Sequence, residues 1–136
     1  METHWDLKAI LGAGALPETI ICPVDGAEMV LVPKGSFTMG ITREELRQIF
    51  ALDQRQHIIF LTELPARSVD LDAFYIDRYP VTNFQYRKFI RETGHREPML
   101  LNHPDWGKPM QPVVFVGWDD ARAYARWAGK SLPNEA

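Results

Sequence analysis

Cysteine, excess positive charge and long hydrophobic runs are all scarce in this sequence. Cys22 is the only cysteine of the 136 residues, which excludes an internal disulfide framework and a zinc site built from several cysteines. Fifteen Lys and Arg against eighteen Asp and Glu give a formal net charge of -3, so the chain lacks the basic excess that neutralises nucleic-acid phosphates. No uncharged apolar run approaches the roughly 20 residues that cross a bilayer.

The N-terminus also lacks the pattern of an export signal. Glu2 and Asp6 precede a weakly apolar stretch at residues 9–16, whereas a secretory signal begins with basic residues and continues into a stronger hydrophobic run. We therefore expect a cytoplasmic protein that has neither a membrane nor a nucleic acid as its partner.

The composition that remains is globular. Hydrophobic residues make up 46% of the chain and charged residues 24%, which excludes wholesale disorder. The length suits one compact domain. Ten Pro and nine Gly, together with four Trp, four Tyr and seven Phe, indicate a loop-rich domain that is held together by aromatic anchors.

Several segments have the pattern of β-strands. Residues 27–32 and 36–39 flank a Lys-Gly turn and predict a β-hairpin. Residues 68–77 alternate between apolar and polar side chains with a slip of phase at Ala73, which predicts one strand with a bulge. The continuous apolar run at residues 112–116 predicts a short strand that is covered on both sides.

Three amphipathic helices are predicted from capping residues and apolar spacing. The residues that predict their ends are Thr42 with Glu45, Thr82 with Gln85 and Gly94, and Asp119 or Asp120 with Gly129. Their predicted apolar faces are Leu46, Ile49 and Phe50; Tyr86, Phe89 and Ile90; and Ala121, Tyr124, Ala125 and Ala128.

The remaining segments of the sequence predict a leader, a domain and long loops. Residues 1–26 predict a leader with a short helix at 5–11 and a linker, and residues 27–136 form the domain. Residues 58–61 fit either a strand or a buried segment, and the proline-rich residues 95–112 predict a loop. Strands mixed with short helices and long loops define an α+β fold.

One loop carries four side chains of the types that ligate metals. They are His95, Glu97, His103 and Asp105. Because no regular element fixes their spacing, ordinary polar loop residues are favoured over a metal site. Cys22 has no histidine near it in the sequence that would lower its pKa, so a buried thiol is favoured over a catalytic nucleophile.

Two pairs of acidic residues have the side chains that acid/base catalysis or a cation site requires. Asp70 and Asp72 lie about 7 Å apart on one strand face and have the pattern of a solvated surface. Asp119 and Asp120 have the pattern of helix-start residues that the helix dipole favours. Neither pair is assigned to catalysis.

Four aromatic residues of the C-terminal part could stack on a ligand. They are Trp106, Trp118, Tyr124 and Trp127. Tyr124 and Trp127 fall on helix faces and are predicted core residues, whereas Trp106 lies in the long loop and is kept as a surface candidate. The residues alone assign no catalytic, cofactor-binding or metal-binding side chain.

Three segments, in this order, resemble the formylglycine-generating enzyme family, also called the sulfatase-modifying factor domain. The first is Met29-Val30-Leu31-Val32-Pro33-Lys34-Gly35-Ser36-Phe37-Thr38-Met39-Gly40. The second contains Glu63-Leu64-Pro65-Ala66-Arg67, Phe74-Tyr75-Ile76-Asp77, Tyr79-Pro80-Val81-Thr82-Asn83, Gln85-Tyr86, Phe89-Ile90 and Thr93-Gly94-His95. The third contains Gln111-Pro112-Val113-Val114, Val116-Gly117-Trp118-Asp119-Asp120-Ala121, Ala123-Tyr124-Ala125, Trp127-Ala128 and Leu132-Pro133-Asn134-Glu135-Ala136.

The resemblance implies a partial C-type-lectin-like fold, covering the N-terminal portion of the family's domain at residues 27–136. Trp118, Trp127, Asn83 and Tyr86 would then be framework residues. The sequence differs from the family at Pro80, Gly117 and Asn134, where Glu, Ser and Thr are usual.

The same resemblance implies the activity and cofactors of the parent type. Members oxidise a substrate cysteine to formylglycine with copper and oxygen, and the paired cysteines and calcium ligands follow a Glu-Trp-Glu motif beyond the equivalent of Ala136. Cys22 matches neither family cysteine. Copper and calcium are therefore implied only for the full-length family, and this chain is expected to be a truncated or partial domain that is not catalytic alone.

Two other interpretations remain open. In the first, the chain is a non-catalytic module that binds a ligand or a protein on a C-type-lectin-like fold. Self-association through an exposed, incomplete core is expected of a partial domain instead. A further alternative is kinship with the iron-dependent sulfoxide synthases of the ergothioneine type, although their iron-binding histidines belong to a separate N-terminal helical domain.

Overall fold

The computed structural model describes residues 15–52 and 60–134, which form two compact units. The first unit contains residues 15–32 and 75–133, and the second contains residues 33–52 and 60–74 together with Asn134. No helix in the described part of the chain is long and apolar enough to span a membrane. The predicted helix at residues 5–11 lies outside the described residues.

The first unit contains a three-stranded sheet with the strand order β1-β2-β5. These strands are β1 (Thr19–Ile21), β2 (Glu28–Val32) and β5 (Phe74–Asp77). β1 runs antiparallel to β2, with Thr19 opposite Val30. The sequence interpretation missed β1, since it placed residues 19–21 in a linker. The strand forms because its backbone groups pair with β2 and Ile20 packs into a small apolar cluster beside Met29.

Two helices pack the main core of this unit. They are α2 (Asn83–Thr93) and α3 (Trp118–Trp127). The Tyr86 ring of α2 stacks on the Tyr124 ring of α3, with centroids 5.7 Å apart and an interplanar angle of 9°. Phe89 meets both rings edge-on, and Trp127 packs against the same cluster. The predicted apolar faces of both helices are confirmed.

The ends of α2 agree with the sequence, and the start of α3 does not. Thr82 caps α2 in a capping box with Gln85, and Gly94 ends it in the left-handed conformation at φ 73°. At α3, however, the N-cap is Gly117 rather than Asp119 or Asp120. Asp120 occupies the third helical position instead, where its carboxylate accepts the Gly117 N–H at 2.9 Å.

The predicted strand at residues 112–116 does not form. Only Pro112 makes a bridge, to Thr82, and the Val113 N–H donates to the Val81 carbonyl oxygen at 2.9 Å. Phe115 adopts φ 60°, which breaks the extended conformation and leaves its side chain exposed. The apolar run therefore divides, with Val113 and Val116 packed on the core.

The loop at residues 95–112 is irregular, as predicted, and two side chains of α2 fix it. The buried Asn83 amide donates to the carbonyl oxygens of Trp106 at 2.7 Å and Lys108 at 2.9 Å. The Arg87 guanidinium donates to the carbonyl oxygens of Leu101 and Gly107. These donors satisfy backbone acceptors of a loop that has no strand partner for them.

The described residues of the second unit include a two-stranded antiparallel sheet and a ten-residue helix. β3 (Gly35–Met39) pairs with β4 (Arg67–Leu71), with Phe37 opposite Val69. The helix α1 (Arg43–Leu52) begins with the predicted capping box, in which the Thr42 N–H donates to the Glu45 carboxylate at 2.7 Å.

Two strand predictions are wrong. Residues 27–32 and 36–39 do form strands, but β2 pairs with β1 and β3 pairs with β4, so they are no hairpin. Residues 68–77 belong to two strands in separate sheets rather than to one bulged strand. The extended structure is interrupted between Leu71, where β4 ends, and Phe74, where β5 begins. The slip of phase in the sequence marked this break. Residues 58 and 59 of the ambiguous segment lie outside the described part.

Candidate functional site

The most strongly charged buried cluster lies at the C-terminal end of α3. The Lys130 ammonium donates to the Asp25 carboxylate at 2.8 Å and to both Asp77 oxygens at 2.7 and 3.0 Å. The Tyr124 hydroxyl donates to the same Asp25 oxygen at 2.7 Å. The Asp25 side chain is fully buried, and that of Lys130 is 10% exposed.

Opposite effects set the pKa values of this cluster. Burial alone would raise the pKa of Asp25, but hydrogen bonds from Lys130 and Tyr124 outweigh it and lower the pKa. Burial would lower the pKa of Lys130, yet the hydrogen bonds to Asp25 and Asp77 raise it. Burial also raises the pKa of Tyr124. The Asp25 carboxylate and the Lys130 ammonium are therefore charged together at neutral pH. With Asp77 they form an ion cluster that joins three segments.

Cys22 lies near this cluster and is completely buried. Its thiol lies 3.6 Å from the Ala128 carbonyl oxygen, within hydrogen-bond distance for sulfur. Burial raises the pKa of the thiol, and the Asp25 carboxylate raises it further. A nucleophilic cysteine requires a lowered pKa and access to a substrate, and Cys22 has neither. Its surroundings are those of a core residue, as the sequence predicted.

The loop candidates for metal binding do not converge. His95 Nε2 lies 2.9 Å from the Asp120 carboxylate, and His103 Nδ1 accepts the Asp105 N–H at 3.2 Å. Glu97 accepts a hydrogen bond from Asn102. Throughout residues 15–52 and 60–134, no group of three His, Cys, Asp or Glu side chains is placed to hold a metal ion.

Asp120 anchors this loop to α3. Arg96 donates to both of its oxygens, at 3.0 and 2.7 Å. Hydrogen bonds from Arg96, the Gly117 N–H and His95 hold the pKa of Asp120 well below its usual range. Asp119, by contrast, is exposed. The two residues lie in the first turn of α3, as predicted, and Asp120 joins that turn to the loop.

The other acidic pair lies on the surface. Asp70 accepts a hydrogen bond from Ser36 on the neighbouring strand β3. Asp72 pairs with Lys34 at 2.9 Å, and both side chains are largely exposed. Side chains in such exposed pairs keep their usual solvation, which agrees with the predicted solvated face.

The aromatic candidates divide between core and surface. Tyr124 and Trp127 belong to the core, and Trp106 is exposed, as predicted. Trp118 is 64% exposed, which corrects its interpretation as a buried framework residue. Trp118 is the first residue of α3, and the buried Tyr124 lies about 120° from it around the helix axis. Arg122 covers part of the Trp118 ring, with the guanidinium carbon 5.0 Å from the ring centroid.

A groove lies beside Trp118 on this outer face. It has a volume of about 450 Å³. Its lining residues are Trp118, Arg122, Ala125, Arg126, Lys130, Ser131, Leu132 and Pro133. We call it the α3 groove.

The residues of this chain do not fit the copper site that the family resemblance implies. Such a site needs two thiolates, and Cys22 is the only cysteine in the sequence. Its buried thiol, with a raised pKa, is also a poor source of the deprotonated sulfur that binds metals. No chemical step through copper can therefore be assigned to these residues.

The ion cluster of Asp25, Asp77 and Lys130 was not predicted from the sequence. Asp25 and Lys130 are 105 positions apart, and Lys130 and Asp77 are 53 apart. No motif spacing joins residues at such separations. The only local signal was a charged residue directly after the helix-ending Gly129.

The fold is that of a known class. The structure of PvdO from Pseudomonas aeruginosa is similar, with a TM-score of 0.61 and 29% sequence identity, over 84% of this chain and 44% of that one. The described residues thus form an α+β domain of the formylglycine-generating-enzyme type, with three helices of ten or eleven residues and short antiparallel strands.

The family follows from the sequence comparison. Residues 19–136 match the model of the sulfatase-modifying factor enzyme 1-like domain, and the chain belongs to that family. The formylglycine-generating enzyme of Bos taurus is 31% identical over 84% of this chain and 39% of its own length. The hercynine oxygenase of Mycolicibacterium smegmatis is 31% identical over 78% of this chain and 29% of its own length. The chain thus spans less than half the length of these relatives.

Proposed function

We propose that this chain supplies scaffold to a formylglycine-generating-enzyme-like domain and does not itself oxidise a substrate cysteine. The relatives named formylglycine-generating enzyme support this parent activity. In this chain, the described residues build a core, and the buried Asp25 forms an ion pair with Lys130 within it. The chemistry of the parent type belongs to thiolates that these residues do not provide.

The state of Cys22 carries the proposal. A thiolate that binds copper or attacks a substrate is deprotonated and accessible. Cys22 is buried beside a carboxylate that opposes its ionisation, and its sulfur lies at the Ala128 carbonyl. Both features favour a neutral thiol that packs the core.

An aldehyde assay tests this proposal. The purified chain is incubated with copper, oxygen and a cysteine peptide of the sulfatase type, and an aminooxy fluorophore then labels any formylglycine for mass spectrometry. We expect no labelled product from this chain, while the bovine formylglycine-generating enzyme serves as the positive control. An aldehyde that forms with the unaltered chain and is lost in Cys22→Ser would overturn the proposal.

Copper and calcium are proposed as cofactors of the longer family proteins, and the cytoplasm as the location of this one. Iron chemistry of the hercynine oxygenase kind is not proposed for these residues. His95 is bonded to Asp120 and His103 to a backbone N–H, and the two are not joined by a third ligand within the described ranges.

A protein- or peptide-binding module is the second candidate function. The exposed aromatic side chains of the first unit favour it, since Phe115 and Trp118 lie three residues apart and are both about two-thirds exposed. Aromatic side chains in such positions are typical of binding surfaces. A binding module predicts that the apparent mass in size-exclusion chromatography stays that of a folded monomer at all concentrations. An apparent mass that rises with concentration would reject the module and support self-association of a partial domain.

A further inference from the structure

The outer face of α3 carries an aromatic side chain and two arginines in a row. Trp118, Arg122 and Arg126 follow one another at intervals of four residues, which places them on one side of the helix. All three are exposed. Leu132 and Pro133 also line the α3 groove.

The two arginines have no carboxylate partner among the described residues. Arg78 pairs with Glu28 and Arg96 pairs with Asp120, but neither Arg122 nor Arg126 forms a salt bridge in that part of the chain. Arg122 contacts the Trp118 ring instead. The third cation of the groove wall, Lys130, is already neutralised by Asp25 and Asp77.

The groove therefore combines apolar surface with two arginines that have no carboxylate partner within residues 15–52 and 60–134. The formal net charge of the chain, by contrast, is negative. Guanidinium groups bind carboxylates through two parallel hydrogen bonds. Tryptophan and arginine are also the residues that carry most binding energy in protein interfaces. This charge complementarity points to an anionic polypeptide rather than to an apolar one.

We propose that the α3 groove docks an acidic polypeptide segment. Two of its carboxylates pair with Arg122 and Arg126, and an apolar side chain packs on Trp118. Residues four apart on a helix are separated by about 6 Å along its axis, and side chains two apart in an extended strand are separated by about 7 Å. An extended segment with an apolar residue followed by two acidic residues, each two positions further on, thus matches the spacing.

Fluorescence anisotropy tests this docking site on the whole chain. The probe is a fluorescein-labelled peptide that contains Phe-Ser-Glu-Ser-Glu, and the matched control peptide replaces both Glu with Gln. We expect saturable binding of the first peptide and about tenfold weaker binding of the second, since two solvated ion pairs are lost. Added salt should weaken only the Glu peptide. Equal binding of the two peptides would overturn the proposal.

Variants locate the site. The double variant Arg122→Met with Arg126→Met should weaken the Glu peptide about tenfold, whereas Arg91→Met, an exposed arginine of α2, should leave binding unchanged. Circular dichroism and thermal melting verify that each variant folds as the parent does. If Arg91→Met weakens binding as much as the double variant, the peptide responds to general charge and the assignment to the groove is wrong.

Discussion

Two tyrosine rings stack in the core of the first unit, yet their hydroxyl groups have different surroundings. Tyr124 is hydrogen-bonded to the buried Asp25 carboxylate at 2.7 Å. The Tyr86 hydroxyl, also buried, has no hydrogen-bond partner within the described residues. Burial, together with the Asp120 charge, raises the pKa of Tyr86 to about 12. The two tyrosines therefore lie in one core cluster and differ in whether the hydroxyl group is hydrogen-bonded.

Removing each hydroxyl should have a different effect on stability. Tyr124→Phe should lower the free energy of unfolding by about 1.5–3 kcal/mol, because a hydrogen bond to a buried charge is lost. Tyr86→Phe should change it by no more than about 0.5 kcal/mol or raise it, because no bond is lost and a polar atom leaves the core. Urea unfolding measures both. Equal losses in the two variants would contradict the hydrogen-bond assignment.

The ion cluster predicts a pH-dependent cost for losing Lys130. The lowered pKa of Asp25 stabilises the fold above its unfolded value near 3.8, and this contribution is lost as pH falls through the folded pKa. The raised pKa of Lys130 stabilises the fold below its unfolded value near 10.5, and this contribution is lost as pH rises through the folded pKa. Between these limits both Asp25 and Lys130 are charged.

Lys130→Met should therefore lower the free energy of unfolding by about 3–5 kcal/mol at pH 7, because a buried carboxylate loses its counter-charge. The loss should shrink at pH 5, since Asp25 without Lys130 is freer to bind a proton. Lys34→Met is the control: it breaks an exposed pair with Asp72 and should cost less than about 1 kcal/mol. A loss for Lys130→Met as small as the control's would show that the cluster contributes little.

At the scale of elements, the loop at residues 95–112 depends on one close approach of the backbone. A Cβ atom at Gly107 would lie 2.1 Å from the Leu101 carbonyl oxygen and 2.8 Å from that of His103. Because both neighbours are backbone atoms, neither can rotate away. The loop therefore requires glycine at this position for space rather than for a left-handed conformation.

Gly107→Ala should destabilise the protein by about 1–3 kcal/mol, as overpacking does. Gly35→Ala at the start of β3 is the control, because nothing lies within 4 Å of the added atom. It should leave the melting temperature unchanged or slightly raised. Differential scanning calorimetry compares the two, and similar melting temperatures would contradict the packing of this loop.

The helices were predictable because their capping residues are close together in the sequence. Strand pairing was not predictable, because the paired strands are far apart in the sequence. The capping boxes at Thr42 and Thr82 join residues three positions apart, so the sequence contains both partners side by side. The partner of β3 is β4, roughly thirty residues later, and nothing in a single sequence identifies it. The ion cluster around Lys130 depends on similarly distant partners.

At the scale of the whole molecule, the order of the motifs identifies the family. The motifs do not, however, assign a catalytic residue in this chain. The chain matches the family from residue 19 onward and spans less than half of its relatives. Within the described residues, Cys22 and Asp25 are buried in the core beside the largely buried Lys130, whereas Arg122 and Arg126 are exposed in the α3 groove. The chain thus combines a core in which Cys22 is buried with an exposed, positively charged groove.

The reactivity of the Cys22 thiol tests whether Cys22 is a buried core residue. The rate at which a disulfide reagent modifies the thiol is measured at pH 8, in native buffer and in concentrated guanidinium chloride. We expect modification of the native chain to be at least about a hundredfold slower, because the sulfur reacts only when the fold opens. A native thiol that reacts as fast as the denatured one would show an accessible Cys22 and contradict its role as a core residue.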